Sequence, residues 1–231
     1  MKQLVHATIA LALVSGCTIR HYVAEDYPQY LINNQGESHL PTAAPSSYAI
    51  APGTRSHSYE FRSGTAGYAN LWIVQFGQML DSSLQSRDVQ AAFGRLTAGA
   101  EDPRGGLLVF DLQSYEFSDM GAHVALRVTH RRGGADVFTK VYVSGGSTQR
   151  GKVFWGGVFA MKNAVQESTK QAIDDILRQL IADINAPPQS PPQSSPQSSP
   201  QARADRRGQA IPFGHAVTGA IIAGVETLAA R

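Results

Sequence analysis

The chain has 231 residues, with 20 Lys plus Arg against 18 Asp plus Glu, a net charge of +2 and a single cysteine. By position, 15 basic and 16 acidic residues lie between Cys17 and Ala186, and 4 basic and 2 acidic between Pro187 and Arg231. A nearly neutral body with a weakly basic tail lacks the electrostatic footprint of a nucleic-acid binder, and one cysteine excludes an intramolecular disulfide and cysteine-built metal sites.

The first element is an apolar stretch from Leu4 to Val14 preceded by one positive charge, Lys2. It is too short to span a bilayer and has the layout of a secretory signal peptide. Leu13, Val14, Ser15, Gly16 and Cys17, which end it, resemble the lipobox of bacterial lipoproteins. That resemblance implies that residues 1–16 are removed and that Cys17 becomes the first residue, with a diacylglyceryl thioether and an N-acyl chain. Burial is worth ~0.8 kcal/mol per methylene and two lipid signals give stable attachment, so the expected partner is a membrane held through this anchor. The alternative is an ordinary cleaved signal with a chance cysteine. Thr18 follows the cysteine. An aspartate there resembles the usual inner-membrane retention signal, so the expected address is the periplasmic side of the outer membrane.

Residues 17–56 read as a lipidated flexible tether, rich in Pro, Ser, Ala, Asn and Gly and without a sustained period. About 37 such residues give a root-mean-square reach of roughly 30 to 40 Å. An extended piece around Tyr48 to Ile50 is expected to dock as an edge strand.

The body is expected at 57–186. It opens with a strand in which Tyr59 and Phe61 alternate with polar residues. Leu71, Trp72, Phe76, Met79, Leu80 and Leu84 then suggest a helix over Ala69 to Ser86, continued by a second short one over Arg87 to Leu96. Gly99 to Gly106 is a loop. Three strands follow, with inward sets Leu108, Phe110 and Leu112, then Ala122, Val124, Leu126 and Val128, then Val137, Val141 and Val143. Gly133 and Gly134 mark a hairpin turn between the last two. A glycine-rich loop and Val153 to Phe159 lead into the longest helical pattern, ending at Asn185. Its apolar set is Met161, Ala164, Val165, Ala172, Ile173, Ile176, Leu177, Leu180, Ile181 and Ile184, with Lys162, Glu167, Lys170, Asp174, Asp175, Arg178 and Asp183 mostly opposite. These elements predict an α+β two-layer sandwich, a mainly antiparallel sheet covered on one face by two long helices. Residues 187–210 form a Pro/Gln/Ser-rich linker that favours polyproline II, and 211–231 an apolar C-terminal segment.

Chemistry is sparse. The seven histidines show no metal-ligand spacing, and His123 and His130, seven apart on one strand, belong on opposite faces. Asp111 and Glu116, five apart, are likewise expected on opposite faces. No nucleophile elbow or phosphate-binding glycine motif occurs, so no catalytic residue, metal or cofactor is expected. Phe154, Trp155 and Phe159, flanked by Gly156 and Gly157, are candidate partner or lipid contacts, and could equally fill the core beside Trp72.

The order of strand, helix, three-strand meander and terminal helix behind a lipobox resembles the ABC-type transport auxiliary lipoproteins. The resemblance is carried by Asn70 to Leu84, by Tyr115, Glu116 and Phe117 leading into Ala122 to Val128, and by Ala164 to Ile184. It implies a non-enzymatic envelope lipoprotein with an envelope protein partner, auxiliary to an ABC-type system or to transport of lipid or another apolar compound. The alternative is a structural or assembly lipoprotein of pilotin type.

Overall fold

The computed structural model describes residues 18–64, 67–148 and 150–186. The expected signal peptide, Cys17, the linker and the C-terminal segment lie outside the described residues. The chain is a mixed α/β fold with two sheets and five helices among the described residues.

The elements are β1 (Ile19–Tyr22), α1 (Tyr27–Asn33), β2 (Ser46–Ile50), α2 (Pro52–Arg55), β3 (Tyr59–Phe61), β4 (Asn70–Val74), α3 (Phe76–Gln85), α4 (Arg87–Phe93), β5 (Leu96–Ala98), β6 (Leu107–Ser118), β7 (Gly121–Arg132), β8 (Ala135–Ser147) and α5 (Arg150–Asn185). The small sheet has order β1-β4-β3 and the large one β5-β2-β6-β7-β8. The large sheet is mixed, since β2 runs parallel to both β5 and β6 while β6, β7 and β8 form the expected antiparallel meander. The turn between β7 and β8 has Gly133 at φ 61° and Gly134 at φ 77°, the left-handed pair that a two-residue hairpin turn requires.

The expected tether is folded. Val23, Tyr27, Tyr48 and Ile50 belong to the same buried core as Leu108, Phe110, Val124, Leu126, Ile173, Ile176 and Leu180, so the body starts at β1 and not at residue 57. Tyr48 to Ile50 lies in an inner strand, not an edge. The pair of long helices gives way to one. α5 has 36 residues, whereas α3 has ten and α4 seven. The residues expected to start a long helix, Asn70–Val74, form β4 instead, with Trp72 and Val74 fully buried on one face. A run of Leu, Trp, Ile and Val suits a pleated surface, and the helix begins only after Gln75.

One face is reversed, and a bulge changes another. Val137, Val141 and Val143 of β8 point outward, at 57%, 47% and 69% exposure, while Tyr142 is buried and Phe138 packs on the core. The larger rings win the inner face because they fill the space against α5, where the Tyr142 hydroxyl donates to Asp183 at 2.6 Å. In β6 the register shifts between Leu112 and Ser114. This bulge brings Tyr115 and Phe117 inward after Leu108 and Phe110, so Asp111 and Glu116 share the outer face, contrary to simple alternation. Past the end of β2, the Leu112 N–H on the β2 side of β6 donates to Thr54 Oγ1 at 2.7 Å.

Candidate functional site

α5 is buried on two sides. Its apolar set faces the large sheet, and Tyr115 of β6 meets Thr169 at 2.9 Å. Lys162, Gln166, Lys170, Asp174 and Arg178 recur every four residues, which places them in one row along the helix. Lys162, Lys170, Asp174 and Arg178, expected opposite the apolar set, together with Gln166 hold the N-terminal segment. Lys162 pairs with Asp26 at 2.9 Å, and Gln166 donates to Val23 O at 3.0 Å and to Asp26 at 2.7 Å. Lys170 donates to Ser38 Oγ at 2.9 Å and to Asp174 at 2.7 Å. Arg178 reaches Ser38 O at 3.4 Å, and Asn185 reaches Thr42 O at 2.8 Å.

Between α1 and α5 these residues border a cleft of about 990 Å³, lined by Asp26, Tyr30, Asn33, Glu167, Lys170 and Asp174 among others. Its charged floor is buried, with Lys170 6% and Asp174 8% exposed. Burial pushes the Asp174 carboxyl above the usual carboxylate range, with the Lys170 ammonium opposing. Burial, with Glu167 and Glu37 nearby, pushes the Tyr30 phenol up to about 12. The Ser38 and Lys170 pair has the composition of a serine–lysine hydrolase dyad, but the ammonium donates to the hydroxyl and to Asp174 at once. Ser38 Oγ thereby accepts from Lys170 in a 3% exposed residue, a contact that braces the loop against α5.

A second concavity of about 360 Å³ lies on the outer face of the small sheet, lined by Arg20, Tyr22, Arg55, His57, Glu60 and Gln75 among others. His57 Nδ1 and Gln75 Oε1 are buried without a hydrogen-bond partner among the described residues, and desolvation lowers the His57 pKa. The other face of this sheet is core, where His21 and Phe61 stack on Trp72 at 5.4 and 5.7 Å.

Of the residues singled out in the sequence, Cys17 and the side chains of Phe154 and Trp155 lie outside the description. Phe159 is 83% exposed on α5 and does not fill the core beside Trp72, whose ring neighbours are His21 and Phe61. His123 is exposed and His130 buried, on opposite faces as the spacing predicts, with His130 Nε2 2.7 Å from Gly105 O. Among the described residues no three His, Cys, Asp or Glu side chains gather as metal ligands, and no helix is long and apolar enough to cross a membrane. Sequence reasoning missed Asp26, Ser38 and Gln166, although the four-residue row on α5 was readable as a stripe.

No family model and no curated protein matches the chain. Among solved structures it is similar to the crystal structure of a Xanthomonas campestris protein described under the family model DUF330, with 14% identity, a TM-score of 0.37, and coverage of 62% of this chain and 85% of that one.

Proposed function

We propose that the chain is a non-enzymatic bacterial envelope lipoprotein, anchored through Cys17 and serving as an auxiliary component of an ABC-type or lipid transport system. One observation carries the anchor reading: the lipobox-like run Leu13 to Cys17 abuts the folded body, because only Thr18 separates Cys17 from β1. Such an anchor holds the body directly at the bilayer. The polar groups of the α1–α5 cleft support a scaffold, since Lys162, Gln166, Lys170 and Arg178 are committed to holding residues 23–38. The transport assignment is supported by the order of elements behind the lipobox and by exposed Phe159, a large aromatic side chain suited to a partner or lipid contact.

Crosslinking in native membranes, followed by purification of the lipidated chain, tests this reading. Enrichment of the subunits of an ATP-binding-cassette transporter is expected, with crosslinks at Phe159. Enrichment of a secretin or pilus subunit instead would favour a pilotin-type role and overturn the transport assignment.

A further inference from the structure

A thioether anchor at Cys17 leaves little slack, and what the body presents at its first strand is chemically distinctive. Two residues of extended chain cover at most about 7 Å, so β1 must lie at headgroup level. Ile19 is 52% and Tyr68 75% exposed there. The two are neighbours, because Ile19 N–H donates to Ala69 O at 2.9 Å. Arg62 clamps the same corner, donating to the Tyr68 carbonyl and to Thr18 Oγ1. Arg20, next to Ile19 on β1 and paired with Leu71 of β4, stands on the adjoining outer face of the small sheet, with Glu60 the one acidic group lining that concavity among the described residues. Exposed apolar and aromatic side chains beside two arginines are the composition of a surface that enters an anionic lipid interface.

We propose that this corner, with Ile19 and Tyr68 as its apolar contacts and Arg20 and Arg62 as its cationic rim, seats directly on anionic phospholipid headgroups. The proposal rests on the lipoprotein reading. Its occupant follows from Cys17 standing two residues before Ile19: the anchor brings a bilayer to this corner before any other ligand. The opposite end of the molecule is then held away. Phe117 of β6 packs on Phe61 of the small sheet at 4.9 Å, while Leu107 pairs with Arg131 beside the β7–β8 turn. Ten residues of strand separate those points by roughly 34 Å.

In the mature lipidated chain Cys17 has no free thiol, so an added cysteine takes an environment-sensitive fluorophore alone. Tyr68→Cys and Ile19→Cys report on the corner, and Val137→Cys, 57% exposed beside the far turn, reports on the distal end. Each labelled chain is reconstituted on vesicles of phosphatidylethanolamine with phosphatidylglycerol, and on phosphatidylcholine vesicles, with a headgroup-attached quencher. Strong quenching at positions 68 and 19, weak quenching at 137, and greater quenching on phosphatidylglycerol are expected. Chains that float with the vesicles yet quench equally at all three positions, or more at 137, overturn the seating while leaving the anchor intact. Equal quenching on the two vesicle types overturns the assignment of anionic headgroups. Failure to float overturns the lipoprotein reading itself and the seating with it.

Discussion

Replacing Tyr27 separates a folded N-terminal segment from a flexible tether. Tyr27 is fully buried, its ring stacks on Tyr30 at 6.0 Å, and its hydroxyl lies 3.0 Å from Ser83 Oγ in α3. Truncating a buried aromatic ring to alanine costs about 3 to 5 kcal/mol, because the cavity adds to the lost transfer energy. Tyr27→Phe keeps the ring and removes only the hydrogen bond, leaving the 2% exposed Ser83 hydroxyl without its partner for about 1 to 2 kcal/mol. Tyr27→Phe with Ser83→Ala together should cost less than the sum of the two single changes, since both delete one bond. Urea unfolding followed by tryptophan fluorescence reads all three, with Trp72 in the core as reporter. In a tether, Tyr27→Ala would change stability by less than about 0.5 kcal/mol, the range of surface substitutions. That result would refute the assignment of residues 19–50 to the core.

Leu126→Ala and Ile176→Ala, 1% and 0% exposed, should each cost about 2 to 5 kcal/mol in the same assay, and a loss under about 0.5 kcal/mol at both sites would contradict the shared core. Gly146→Ala should lower the melting temperature measurably, because a Cβ there would lie 1.8 Å from Ser168 O of α5 and backbone on both sides must shift; an unchanged melting curve would contradict the β8–α5 contact. Asp183 is held below the usual carboxylate range by hydrogen bonds from Lys140 and then Tyr142. Its folded-state pKa is therefore depressed, and the stability it contributes is present at neutral pH and lost as pH falls below about 4. Asp183→Asn should be less stable than the wild type at pH 7, with the gap closing on acidification, and a gap independent of pH would refute this ion pair as the cause.

Local signals carried the meander and α5. Alternating apolar residues, the Gly133 and Gly134 turn and the stripe from Met161 to Ile184 each fit within one element, so period alone exposes them. The N-terminal elements lacked such a signal. β1 has four residues, α1 seven and β2 five, too short for a period to rise above a loop-like composition, and the partners of β1 and β2 are distant along the chain. β4 was misread because Leu71, Trp72, Phe76, Met79 and Leu80 keep helical spacing across a strand–helix junction at Gln75. The valines of β8 mislead because hydrophobicity ranks them inward, whereas Tyr142 gains both ring burial and the bond to Asp183. The β6 bulge between Leu112 and Ser114 leaves no local pattern of apolar residues that reveals it. Of the candidate site, the lipobox-like run Leu13 to Cys17 is contiguous and is read from the sequence alone, whereas the α1–α5 cleft depends on Asp26 and Ser38 meeting a helix more than a hundred residues later.

The most direct test of the central claim is mass analysis of the chain's own N-terminus from membranes of labelled cells. With a fatty-acid probe supplied during growth, trypsin cleavage after Arg20 should release a Cys17–Arg20 peptide bearing the diacylglyceryl thioether, recovered from the outer-membrane fraction. Label and peptide should both disappear with Cys17→Ser. An unmodified Cys17, or a mature N-terminus elsewhere on a chain released from the membrane, would contradict a body held at the bilayer by its first residue.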